Sequence, residues 1–253
     1  MSDLRHGLPH RLALVAADRV DAGLRRYMLD IYNQVALGLL VAGGLAYVVS
    51  AVPTVRDLLF RLPPPGAVTP MVGLTFAGAF VAFGPFLALA AGAFALDRPT
   101  LLKARLVYWS VVSTIGASLG LVVLTFTGAS IAATLAISAL AFGGLSLAGY
   151  VTPRDLTALG GFLTTGLVGV VAALILNLAL RSPAVVWIAS MVGVFVFAGL
   201  IAYDTQRLKL AYDQVQGDRT ATRLAATYGA LSLFINFVNL FQLLLMSMTG
   251  DRR

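Results

Sequence analysis

YGALSLFINFVNLFQLLLMSM, residues 228–248, is long enough to cross a bilayer, yet it carries Ser232, Asn236, Asn239 and Gln242 within it. At 100° per residue on a helix, Gly229, Ser232, Asn236 and Asn239 fall within an arc of roughly 80°. Polar groups in hydrocarbon are costly unless they find partners. A span that gathers its amides on one face is therefore expected to be surrounded by other helices. Two readings of that face stand side by side: amides that glue helices together, as is common in membrane bundles, or part of a site.

The rest of the chain fits a membrane setting. Of its 253 residues, 59% are hydrophobic and 11% charged, and the mean hydropathy is +0.89, far outside the soluble globular range. The net charge of +7 is not a nucleic-acid footprint, because the 18 basic residues lie between or at the ends of apolar runs. With no cysteine, disulfides, thiolate metal sites and thiol catalysis are excluded. The two histidines, His6 and His10, sit in a polar N-terminal tail. That tail is charged throughout and lacks the apolar core of a cleavable signal peptide, so the first span is expected to do the targeting.

Working back from residue 228, the pattern predicts an all-α polytopic protein of seven transmembrane helices with the last one central. The expected spans are 31–52, 72–96, 106–126, 130–150, 158–180, 185–203 and 228–248, each suited to a hydrocarbon core of about 30 Å. Residues 1–30 read as a cytoplasmic tail whose second half could lie as a short helix on the membrane surface. Residues 53–70, with prolines at 63–65, read as a loop. Pro85 falls inside the second span and Asn177 inside the fifth; Thr152 or Asp155 is expected to cap the helix after TPRDL at 152–156. Small residues at 116–120, 143–149 and 160–161 suit close helix packing. With the N-terminus inside, the cytoplasmic segments hold thirteen Lys and Arg against five on the other side, which predicts N-in and C-out.

Asp204, in AYDTQRLK, stands at the end of the sixth expected span. One reading makes it an interfacial charge neutralised by Arg207 and Lys209. The other turns it inward against the polar face of the last span, with Asn236 as its closest counterpart. Burial disfavours the charged form of a carboxylate and a neighbouring guanidinium favours it, and a group balanced between the two can titrate near neutral pH. Such a group also offers hard oxygen to a cation such as Ca²⁺, so Asp204 is the candidate metal-contacting residue.

FAGLIAYDTQRLK at 197–209, ALSLFINFVNLF at 230–241, GYVTPRDLTALGGF at 149–162 and YMLDIYNQVALGL at 27–39 together resemble the transmembrane Bax inhibitor motif (Bax inhibitor-1) family, bacterial branch. The resemblance implies a seven-helix fold with a central last helix and a pH-sensitive cation leak, chiefly of Ca²⁺, with no bound cofactor. It further implies an inner-membrane location, and for bacterial relatives a link to a membrane-bound ATP-dependent protease. In the family two aspartates, one ending span six and one in span seven, share a proton and control opening. Asp204 matches the first; the second position holds Asn236.

Two carboxylates hold a proton between them because like charges at close range cannot both ionise. An Asp–Asn pair has no such mechanism, and the amide instead stabilises the charged carboxylate. Any pH response is therefore expected to be weaker or shifted acidic. Some relatives use an arginine near the cytoplasmic end of span two as a latch, a place held here by Arg98; Ser232, Asn239 and Arg207 are the supporting polar residues.

Enzymatic readings fit poorly. An aspartyl intramembrane protease needs a second carboxylate in the next span, which has none, and a serine mechanism needs a membrane histidine. The competing account is a non-conducting membrane regulator, a partner of the protease, whose tail and 204–227 segment make the contacts. The lipid bilayer is a partner in every reading.

Overall fold

The computed structural model describes residues 3–63, 72–94 and 100–248. The elements run α1 (Asp3–Ala51), α2 (Pro53–Leu59), β1 (Phe60–Arg61), β2 (Gly73–Leu74), α3 (Phe76–Phe94), α4 (Leu101–Thr125), α5 (Gly128–Val151), α6 (Thr157–Leu180), α7 (Pro183–Val215) and α8 (Arg219–Ser247). The fold is all-α apart from the two-residue antiparallel pair, in which Phe60 faces Leu74. Among the described residues, six helices are long and apolar enough to cross a membrane: α1 from Ala22, and α4 to α8. The second expected span, 72–96, corresponds to α3, whose apolar stretch Phe76–Gly92 is shorter. Arg98 and the side chains of His6 and His10 lie outside the described residues.

α8 is the centre. It packs against α1, α4, α5 and α7, and 67% of its most apolar window is buried, against 39% or less for the other spans. Outward positions carry the opposite character: Leu40, Leu140, Leu178 and Phe195 are all largely exposed, as suits a surface that meets lipid chains. The main cluster joins Tyr27, Ile31, Tyr108, Phe234 and Phe237 across α1, α4 and α8. A second one joins Leu163, Ile201, Leu240 and Leu243 across α6, α7 and α8.

The structure departs from the sequence expectation in three places. Residues 53–63 are not simply loop: Pro53 opens α2 at a position where its missing N–H costs nothing, and β1 follows. α1 passes continuously through Asp30, with no separate surface helix; Tyr27, Met28 and Ile31 continue its buried face. Residues 204–215, expected as a charged connection, extend α7 by a little over three turns. DTQRLKLAYDQV holds neither Gly nor Pro, and Asp204, Leu208 and Tyr212 recur at four-residue spacing on a buried face.

The turn that remains is 216–218, where Asp218 Oδ1 caps α8 by accepting from the Thr220 and Ala221 amides at 2.7 and 3.3 Å. Asn177 proves to be a terminator: its carbonyl and side chain accept from Arg181 and Ser182, and Arg181 ends α6 at φ 51°.

Candidate functional site

The continuation of α7 carries Asp204 into the interior, where it is 5% exposed and, among the described residues, the one buried carboxylate. Oδ2 accepts from Ser232 Oγ at 2.6 Å and from Asn236 Nδ2 at 2.8 Å, both on α8. Oδ1 is paired with Arg207 Nη2 at 3.0 Å, one turn along the same helix. Arg207 is itself half-exposed and lies over the Tyr203 ring, 5.8 Å from its centroid. All three partners are donors, so they match an acceptor-only, ionised carboxylate. The result is a polar lock between α7 and α8.

The neighbours of Asp204 tie the same turn of α7 to the α5–α6 corner. Gln206 does so twice: Nε2 donates to the Arg154 carbonyl at 2.7 Å, and Oε1 accepts from the Leu156 amide at 2.8 Å. Lys209 Nζ donates to the Tyr150 carbonyl at 2.9 Å and sits 5.1 Å over the Tyr150 ring. Thr205 lies 3.4 Å from the buried Ser146 hydroxyl of α5. At the corner, Asp155 Oδ1 accepts from the Thr157 amide at 2.8 Å, and Thr157 holds that exposed carboxyl below the usual range. Close packing brings the helices near enough for these bonds: a Cβ on Gly149 would run into the Ala202 carbonyl, and one on Gly160 into the Tyr203 ring.

Of the residues singled out from sequence, Asp204, Ser232, Asn236 and Arg207 therefore meet. Asn239 does not. Its Nδ2 donates to the Ile235 carbonyl of its own helix at 2.9 Å, and it lines a separate cleft of about 320 Å³ with Gln242, Ser118 and Pro85. Gln206, Thr205 and Ser146 were missed, because a residue whose partner lies 50 or more positions away, whether a backbone group for Gln206 or a hydroxyl for Thr205 and Ser146, carries no local signal. Among the described residues, no three His, Cys, Asp or Glu side chains converge, so a cation at Asp204 would complete its shell with carbonyl, hydroxyl and water oxygens.

The segments 149–162, 197–209 and 230–241 thus converge on one junction. Tyr27 of 27–39 stacks on Tyr212 two turns further along α7, with centroids 5.3 Å apart. Comparison with known proteins agrees with that convergence. The family described as inhibitor of apoptosis-promoting Bax1 matches residues 24–253. A Caulobacter vibrioides protein is 48% identical over 253 residues, covering 100% of both chains. A Rickettsia prowazekii protein is 38% identical, over 92% of each chain. The Escherichia coli inner membrane protein YbhL is 34% identical, over 92% of this chain and 94% of its own. With the family match running through nearly the whole chain and the site, the chain is an integral membrane protein that belongs to the Bax inhibitor-1 family.

Proposed function

We propose that this protein is a cation leak pathway, with Ca²⁺ the permeant ion, held closed here by the Asp204 lock on the cytoplasmic side. The observation that carries the reading is a buried carboxylate whose partners all come from groups that can let go: a hydroxyl, an amide and a half-exposed guanidinium. Ionisable groups are rare inside membranes and are kept there for ion or proton paths. While Ser232 and Asn236 donate to Oδ2, a cation arriving there meets donors rather than oxygen lone pairs. Separation of α7 from α8 frees the carboxylate and converts the barrier into a cation site. Lys and Arg placement supports a cytoplasmic N-terminus, and with seven crossings a C-terminus outside the inner membrane. The role is conduction, not catalysis.

Asn236 shapes the pH response. It cannot share a proton with Asp204 as a second carboxylate would, so any pH response is weaker or shifted acidic relative to a carboxylate pair. A second reading, a non-conducting regulator or partner of an inner-membrane ATP-dependent protease, is favoured by the full satisfaction of Asp204, which a purely structural staple also requires.

Ca²⁺ flux into proteoliposomes at about pH 6, 7 and 8 separates the two. Wild type is expected to conduct, Asp204→Asn to change the flux, and Asn236→Asp to introduce a steep pH dependence. Silence from all three folded proteins overturns conduction and leaves the regulator.

A further inference from the structure

A second polar feature lies apart from the lock. α1, α4 and α8 diverge to form a cleft of about 380 Å³ lined by Asp30, Asn33 and Gln34 of α1, Arg105 and Trp109 of α4, and Arg223 of α8. Arg223 precedes Ser232 by nine residues, so the cleft opens about 13 Å further toward the N-terminal end of α8. Both guanidinium groups are exposed, and neither forms an ion pair with a described residue. Asp30 shares the lining without reaching either one, which leaves an excess of one positive charge.

The cleft is built to stay open. Tyr108, 2% exposed, donates its hydroxyl to the Gln34 carbonyl and so fixes α1 against α4 beneath it. Asn33 and Gln34 bring side-chain amides to the lining, Gln34 with one N–H also directed at the Asp30 carbonyl at 3.4 Å, and Leu101 in the first turn of α4 closes the same wall. Two arginine forks with amide donors around them match tetrahedral phosphate oxygens better than a carboxylate or a neutral ligand. The surroundings are those of a headgroup. Trp109 sits at the rim, 37% exposed, as aromatic residues do at a membrane interface. From the inner end of the cleft, Leu37 (49% exposed) and then Leu40 (74%) continue along α1 as an apolar track.

We propose that this cleft binds an anionic phosphate group held jointly by Arg105 and Arg223, supplied by a phospholipid headgroup whose chain follows the Leu37–Leu40 track. The site is independent of the Asp204 lock.

The chain has two tryptophans, so Trp187→Phe leaves Trp109 as the sole indole reporter in the full-length protein. In neutral detergent, short-chain phosphatidylglycerol is expected to shift its emission saturably, and phosphatidylcholine of equal chain length to do so far more weakly. Arg105→Gln and Arg223→Gln should each weaken that binding about tenfold, since a charged hydrogen-bonded partner is lost. Arg219→Gln, on the same helix but outside the cleft, should stay within about twofold. Asp30→Asn should tighten binding, a change of sign that damage to folding cannot imitate.

Inorganic phosphate that competes as well as the lipid assigns the site to a free anion and overturns the lipid assignment. Equal binding of both lipids, or undiminished binding by the Arg105→Gln, Arg223→Gln double variant, overturns the site itself.

Discussion

Removing the Ser232 hydroxyl would leave Oδ2 of Asp204 with Asn236 as its one remaining donor on α8. Ser232→Ala is accordingly expected to lower stability by about 1 to 2 kcal/mol, the usual cost of leaving a buried charged acceptor short of a partner. Thermal unfolding in detergent measures this, and a variant as stable as wild type would show that the 2.6 Å contact carries no strength. If the lock is the gate, the same variant leaks faster. At this scale the sequence was informative because hydrocarbon forbids idle polar groups: a stripe on α8 and one carboxylate on α7 had few other places to go. It misled at Asn239. Ser232, Asn236 and Asn239 share one arc on a helical wheel, yet that arc spans two gaps, one closed by α7 and the other opening beside α3 and α4. Angular position alone does not say which neighbour stands opposite.

Helix against helix, glycine decides how near Asp204 can be brought to its partners. Gly149→Ala would place a methyl group on the Ala202 carbonyl two residues before Asp204, and backbone cannot swing aside. The expected cost is about 1 to 3 kcal/mol, with Gly144→Ala as the neutral comparison, since nothing lies within 4 Å of the Cβ it would gain. Melting temperatures of the pair in one detergent check this; equal values would sink the close-contact argument. Small-residue runs at 143–149 and 160–161 had signalled tight packing, but not which glycine in each run faces a neighbour. The charged run 204–215 hid a helix for a related reason. Its charges suggest solvent, while Leu208 and Tyr212, buried against α1 and α8, hold it in the bundle as a continuation of α7.

For the molecule entire, the absence of cysteine gives a clean background for testing its orientation. Gly217→Cys, in the α7–α8 turn, should react with an impermeant thiol reagent from the cytoplasmic side only, and Arg181→Cys, at the end of α6, from the opposite side only. The reverse pattern would overturn the N-in assignment. Hydropathy and breaks revealed the helical class and the central place of the last helix, because both follow from burial of backbone and amides in an apolar solvent. The ties between the α5–α6 corner and α7 were not legible, being bonds from side chains to carbonyl, amide and hydroxyl groups distant in sequence. Those ties give α7 a mechanical character. It runs unbroken for 33 residues and is pinned near Asp204, with about 30 Å of rod toward Pro183 and about 16 Å toward Val215. That is a lever with unequal arms. Because Gln206 and Lys209 hold the very turn that carries Asp204, a push on the α5–α6 corner bears on the lock itself, and a tilt of the rod about that turn displaces the Pro183 end about twice as far as the Val215 end and in the opposite direction.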